Sequence, residues 1–225
     1  RQQQAGNYQN QIFQMIEGEK LGSFWGYTFA GIWQEDEVNA PFVDANGQTN
    51  GKTNGEVYKV KPGNSKYVDV NKDGVYNDAD QGIIGCGQPT FNWGWNNTFN
   101  YKNFDFSFFV VGFHGFDIYN ATHQMGYNLI KSQQMAGVTP MRELLNRWTP
   151  TNTNTDIPGF VKGGTENKDF FSTRFVENGS FIKMKSITLG YTLPEATCRS
   201  LGINNLRVYA SVQNPFHITK YSGLD

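Results

Sequence analysis

The sequence predicts an all-β fold of long antiparallel transmembrane strands, a segment of β-barrel wall carrying long extracellular loops. Three observations predict it. The first is a ribbon with a two-residue period, TFNWGWNNTFNY at residues 90–101. The second is the alternation of short and very long connections between such ribbons. The third is strand length, which suits a bilayer better than a soluble core.

In residues 90–101 the odd positions read Phe91, Trp93, Trp95, Asn97, Phe99 and Tyr101. The even positions read Thr90, Asn92, Gly94, Asn96, Thr98 and Asn100. Side chains alternate between faces in a strand, so one face is aromatic and the other is small and polar. After Lys102-Asn103 comes FDFSFFVVGF, where Phe104, Phe106, Phe108 and Val110 alternate with Asp105 and Ser107. Phe109 and Val111 blur its second half. The pair predicts a hairpin with a tight connection. A second pair lies near the end of the chain. IKMKSITLGYTL sets Ile187, Leu189, Tyr191 and Leu193 against Ser186, Thr188, Gly190 and Thr192. Beyond the link PEATCRSLGINN, LRVYASVQ sets Leu206, Val208, Ala210 and Val212 against Arg207, Tyr209, Ser211 and Gln213. NYQNQIFQMIEG, near the start, reads as a further strand with a weaker pattern.

Residues 18–88 and 114–179 are polar, glycine-rich stretches between these ribbons. Connections in compact domains have a median of about 4–6 residues, so loops of this length are unusual. One of them is predicted to hold a short helix, TPMRELLNRW, with Thr139 as N-cap and Pro140 in the first turn. Short turns on one side and long loops on the other are the asymmetry of outer-membrane barrels. A strand of about 12 residues at ~3.3 Å each reaches ~40 Å, and a 45° tilt leaves ~28 Å of crossing. Sandwich strands are nearer 5–6 residues. Four or five strands cannot close a barrel, which needs about eight. An open edge in hydrocarbon leaves unpaired backbone groups at several kcal/mol each. Aromatic faces that meet lipid therefore imply a larger barrel of which this chain is a part.

Composition sets further bounds. Charged residues make up 17% of the 225, aromatics 15%, and there are 25 glycines, the opposite of a disordered chain. A net charge of -1 gives no electrostatic footprint for nucleic acid. No apolar run is long enough for a transmembrane helix, and a mean hydropathy of -0.55 is compatible with barrel strands. Cys86 and Cys198 are too few for a disulfide scaffold, and on the barrel reading they stand a membrane apart and cannot bond. The start, RQQQAGNYQNQIF, has no apolar core of a secretion signal, which leaves an intracellular chain or a piece of a longer one.

The sharpest chemistry lies at residues 69–80, DVNKDGVYNDAD. Against the twelve-residue calcium loop, Asp69, Asn71 and Asp73 take positions 1, 3 and 5. Gly74 supplies the turn at 6, Val75 its carbonyl at 7, Asn77 position 9 and Asp80 position 12. A hard cation takes six to eight oxygens, and this spacing gathers them around one point. Asp in place of Glu at 12 and Tyr76 at the usually aliphatic position 8 depart from the template. The predicted role is structural, for calcium or for magnesium in its place, and the alternative is an Asx-rich surface turn. No flanking helix pair predicts a switch. His114, His123 and His217 lack metal spacing, and Gln34–Glu37 reads as a solvated charge cluster. GIIGCG opens no helix, and no nucleophile, zinc or paired-cysteine motif is present, so the sequence predicts no enzyme. The aromatics Phe24, Trp25, Tyr27 and Trp33 are candidates for stacking on sugar rings, with packing inside the loop as the equal alternative.

The stretch VDVNKDGVYNDADQGIIGCGQPTFNWGWNNTFNYKNFDFSFFVVGFHGFDIYN resembles SusC/RagA-type TonB-dependent outer-membrane transporters. So do RWTPTNTNTDIPGF, SFIKMKSITLGYTLP and NLRVYASVQNPFHITKYSGLD. The matches run in family order from about Gly18 to Asp225. The resemblance implies that residues 1–225 are a C-terminal part of a 22-stranded barrel, without the family's plug, TonB box and final strand. It carries the metal role onto Asp69 to Asp80, and it makes Asn92, Asn96, Arg207 and Gln213 lumen positions. It also implies the outer membrane of a Gram-negative, Bacteroidetes-type bacterium. There the whole protein would import a glycan oligomer or, less often, a peptide. A SusD-like surface lipoprotein would form the lid, and the TonB–ExbB–ExbD complex would pull on the plug. The rival reading is a secreted, calcium-stabilised, carbohydrate-binding β-sandwich, which predicts short, evenly spaced strands. A glycosidase would need two positioned carboxylates, and nothing fixes such a pair.

Overall fold

A computed structural model describes residues 17–127, 141–159 and 170–223. They divide into two compact units, each assembled from separated stretches of chain. Residues 1–86 and 118–177, with 223–225, form the first; residues 87–117 and 178–222 form the second.

In chain order the first unit begins with β1 (Ser23–Tyr27), β2 (Phe29–Ile32), α1 (Glu35–Asn39), β3 (Pro41–Val43) and β4 (Thr49–Thr53). Then come α2 (Asn54–Tyr58), β5 (Ser65–Tyr67) and β6 (Gln81–Cys86). The sheet strands β7 (Phe91–Tyr101) and β8 (Phe104–His114) follow. β9 (Asp117–Tyr119), α3 (Ala121–Tyr127) and β10 (Val176–Asn178) lie further on. β11 (Phe181–Thr192), α4 (Glu195–Ser200), β12 (Arg207–Gln213) and β13 (His217–Thr219) complete the described chain.

Among the described residues, the stretches read from sequence as long loops are folded. Antiparallel pairs β1–β6, β2–β5 and β3–β4 hold the first of them, at three to six residues per strand. Such strands are too short for a period-two signal to rise above composition. Rings fill the core: Phe24, Tyr27, Trp33, Phe42, Tyr67 and Phe175 are buried. The two stretches meet there, where Tyr27 stacks on Phe170 at 4.6 Å and its N–H donates to the Phe171 carbonyl at 3.0 Å. Gly63 has φ +90°, and the Trp148 ring occupies the space a β-carbon would need, so glycine is required there on two counts. The helix predicted over TPMRELLNRW is a single 3-10 turn, Arg142–Asn146, because few of its residues find a core and Leu144 alone is buried. Thr139 and Pro140 lie outside the described residues, as does most of the strand predicted near the start. Gln34–Glu37 is the first turn of α1: the Gln34 N–H donates to Glu37 Oε2 at 3.1 Å, and Lys66 pairs with Glu37 at 2.6 Å. GIIGCG lies in and just beyond β6.

The second unit is one antiparallel sheet in the order β12-β11-β8-β7, with β13 also on β11. Lys102 and Asn103 alone connect β7 to β8, with Lys102 at φ +52°. The register makes each face a grid. Trp95 sits opposite Val110, Phe99 opposite Phe106, and Tyr101 opposite Phe104. Continuing across β11 and β12, Phe106 meets Leu189 and Ala210, and Phe104 meets Tyr191 and Val208. This face is apolar apart from Asn97 and His114, and Trp95, Phe99 and Tyr101 are 53–70% exposed. On the reverse face Thr98, Ser107, Thr188 and Ser211 share one row, and the last two hydroxyls hydrogen-bond at 3.0 Å.

A bulge keeps Ile182 and Met184 on the apolar face. The register slips between Met184 and Ser186, leaving Lys185 as the extra residue. Without the slip, Ile182 and Met184 would share a face with Ser186 and Thr188. The slip is written in the sequence as a phase change, from I-K-M-K to S-I-T-L.

Candidate functional site: the Asp69–Asp80 loop and the polar sheet face

The loop lies between β5 and β6 and is organised by its own side chains. Asp69 Oδ2 accepts from the Gly74 N–H and the Tyr58 hydroxyl, each at 2.8 Å. Gly74 has φ +82°, the turn conformation that favours glycine. Asp73 Oδ1 accepts from the Val75 N–H at 2.8 Å, and Asp73 Oδ2 accepts from Asn71 Nδ2 at 2.9 Å and Asn77 Nδ2 at 3.2 Å. These donors, the Val75 N–H first, hold the Asp73 carboxyl below its ordinary value. Asp80 is buried at 4% exposure and clasps the two ends of the loop, accepting from the Val70 N–H at 2.8 Å and the Asn77 N–H at 3.0 Å.

Two tyrosines join the loop to the core. Burial, reinforced by the Asp69 carboxylate, raises the Tyr58 phenol. Tyr76 is pushed up to about 12 by burial. It stacks on Tyr58 at 5.1 Å and meets Tyr67 edge-on at 5.5 Å. The aromatic at loop position 8 is therefore an anchor into an aromatic core, where the usual template has an aliphatic one.

The ligand types suit a hard cation, being carboxylate, amide and carbonyl oxygens throughout. Asp69 Oδ1 is buried and accepts no hydrogen bond, an arrangement that costs desolvation unless a positive group serves it. Among the described residues no group of three or more His, Cys, Asp or Glu side chains is arranged for a metal, so the asparagines and the Val75 carbonyl would have to complete any coordination.

The other sequence candidates fall into two places. Tyr27 and Trp33 are 6% and 4% exposed inside the first unit, so they pack rather than offer faces to a ligand, whereas Trp25 is half-buried on β1. Asn92 and Asn96 lie on the polar sheet face, with Gln213 opposite Ser186 on the same side. Arg207 is engaged. Its guanidinium reaches across β11 to Asp105, with Nη2 donating at 2.6 Å and Nε at 3.1 Å. Gly190 lies between them, where a β-carbon would collide with both groups. Neither Cys86 nor Cys198 forms a disulfide among the described residues.

Strands of 11 and 12 residues with one face mainly apolar and the other mixed and more polar define a membrane-spanning β-sheet of the outer-membrane barrel class. Similarity to known proteins narrows the class. No protein-family model matches the sequence. It is 34% identical over 217 residues to TonB-dependent receptor P3 of Formosa agariphila, covering 96% of this chain and 20% of that protein. It is 32% identical over 167 residues to the TonB-dependent receptor SusC of Bacteroides thetaiotaomicron, covering 73% of this chain and 15% of that one. The fold matches that of the RagAB peptide transporter with a TM-score of 0.61 at 22% identity, over 89% of this chain and 20% of that chain. The RagAB importer in its closed-closed state gives 0.62 at 21% identity, over 94% of this chain and 22% of that chain. The chain belongs to the SusC/RagA-type TonB-dependent receptors, and it spans about a fifth of the length of the first curated relative. Proteins of this type are outer-membrane β-barrels.

Proposed function

We propose that this chain is a wall-and-loop segment of a receptor that imports glycan oligomers, or alternatively peptides, across the outer membrane. The observation that carries this reading is the apolar face running over four strands, broken by Asn97 and by His114 at the end of β8, with exposed rings that no described residue covers. Neither outer strand of that sheet has a second neighbour among the described strands. In hydrocarbon those backbone groups need partners, and further barrel strands would provide them. A SusD-like lipoprotein would cap the loop side, and TonB–ExbB–ExbD would act through a plug. The RagAB neighbours support the importer reading, and their description as peptide importers keeps peptides open.

The loop from Asp69 to Asp80 would hold calcium, or magnesium, through Asp69, Asn71, Asp73, Val75, Asn77 and Asp80. The ion would neutralise clustered carboxylates and stiffen a segment already bound to the core by Tyr58 and Tyr76. It would perform no chemistry on substrate.

The test is the native mass of the polypeptide after mild detergent extraction from the host membrane. A species far above 25.4 kDa that contains further barrel sequence and a lipoprotein is the expected result. A monodisperse species of 25.4 kDa that stays folded after detergent removal would overturn the reading in favour of a soluble sandwich.

A further inference from the structure

The polar sheet face is uneven in its chemistry. Toward the Lys102-Asn103 turn it carries hydroxyls, amides and the closed Asp105–Arg207 pair. Toward the other end three rows differ. Asn96 pairs with Phe109, and Phe109 with Ser186, beside the bulged Lys185. Gly94 pairs with Val111, Val111 with Lys183, and Lys183 with His217. Asn92 pairs with Phe113, and Phe113 with Phe181, the two rings stacked at 5.2 Å.

The bulge produces this composition. The extra residue, Lys185, is exposed and directly adjoins Ser186, the partner of Phe109. The alternation before the slip places Lys183 on the face of Phe109. The Phe109 ring lies over Gly94, whose missing side chain leaves room for it, and Phe109 is 36% exposed. No acidic residue lies on these rows. Across the whole sheet unit six Lys and Arg face three Asp and Glu, whereas the full chain has 19 against 20. Asp105 is paired to Arg207 and Glu195 to Arg199, so Lys183 and Lys185 lack an acidic neighbour in their own rows.

We infer that Phe109, Lys183 and Lys185, with Asn92 and Asn96, form a lumen subsite for an acidic oligosaccharide. The inference rests on the importer reading and specifies its substrate class. A ring with an open face packs against the C–H face of a sugar, flanking amides serve its hydroxyls, and the two ammonium groups meet its anionic substituents. A neutral glycan leaves those lysines idle, and an apolar peptide leaves the amides unserved.

The test uses the complete receptor purified from its host in detergent, with dextran sulfate and neutral dextran oligomers of equal length as probes. Dextran sulfate is expected to bind in preference to dextran. The double substitution Lys183→Gln/Lys185→Gln is expected to weaken dextran sulfate binding about tenfold, as two partly exposed charge contacts imply. Phe109→Ala is expected to weaken it further, and Lys183→Arg/Lys185→Arg to restore it. A control, Lys102→Gln/Lys220→Gln, is expected to leave binding unchanged. Equal binding of both probes, or equal loss in the control, overturns the inference. So does preference for a polyglutamate peptide over dextran sulfate, which would move the substrate to acidic peptides. Folded, heat-modifiable barrel on a gel confirms assembly in every variant, so failure here is distinguishable from failure of the importer reading.

Discussion

Gly190 shows how one missing side chain shapes a face. It lies between Asp105 and Arg207, and the ion pair passes over it from β8 to β12. Gly190→Val is expected to force the two groups apart and strain the sheet by about 1–3 kcal/mol, the usual range for overpacking. Thermal melting of the receptor in detergent checks this. Adding Asp105→Ser to that variant should recover most of the loss, since it removes the two colliding oxygens and releases the Arg207 guanidinium to swing aside; no recovery would place the strain in the backbone. At the loop, Asp73 is held below the usual carboxylate value by the Val75 N–H and the Asn71 amide. A lowered folded value means that its contribution is complete above the ordinary Asp value of 3.8 and is lost as pH falls through the lower folded value. Amide protection at residues 69–80, measured relative to the intrinsic exchange rate at each pH, should therefore fall in that acid range. If a cation binds there, chelator, Asp69→Ala or Asp73→Ala should lower it at neutral pH as well. Exchange indifferent to chelator would remove the cation from the account.

At the scale of elements, β7 presents Trp95 to one medium and Asn96 to another. Trp95→Arg puts a charge on the apolar face near mid-strand, at an expected cost of about 2–4 kcal/mol. Asn96→Arg places the same charge on the polar face and is expected to change stability little. The urea midpoint of refolding into lipid vesicles checks both; equal effects would mean that the apolar face does not meet lipid. This hairpin was legible in the sequence because its period is two throughout and its link is two residues long. The bulge at Lys185 was visible as a phase slip but acquires meaning only with the register. The short strands around Trp33 and Tyr67 were not legible. Their core is drawn from rings scattered among polar and glycine residues, which period-based reading assigns to loop. For the same reason Tyr27 and Trp33 looked available when they are interior. The Asp69–Asp80 loop was legible as a turn closed by its own carboxylates and amides, because those residues are local in sequence. Phe109, Lys183 and Lys185 were not, because cross-strand pairing alone brings them together.

Over the whole molecule, charge and polarity are segregated by unit more than by sequence position. The sheet unit is net basic and carries a field of exposed rings on its apolar face; the other unit is net acidic and has its rings inside. Average composition hides both facts, since the chain totals -1. Only the division into units makes them visible.

The first unit closes over long distances in sequence: the Phe29 N–H donates to Thr173 Oγ1, 144 residues away, at 3.0 Å. The β7–β8 hairpin lies between those two stretches and pairs through a two-residue turn. Short loops close fast and long ones slowly, so the timing of assembly is built into the chain order. The hairpin can zip as soon as residue 114 is free, while the aromatic core around Tyr27 must wait for Phe170 and Phe171. During that interval the rings of the first unit are exposed, and this is the stage at which a holding chaperone would have most to cover.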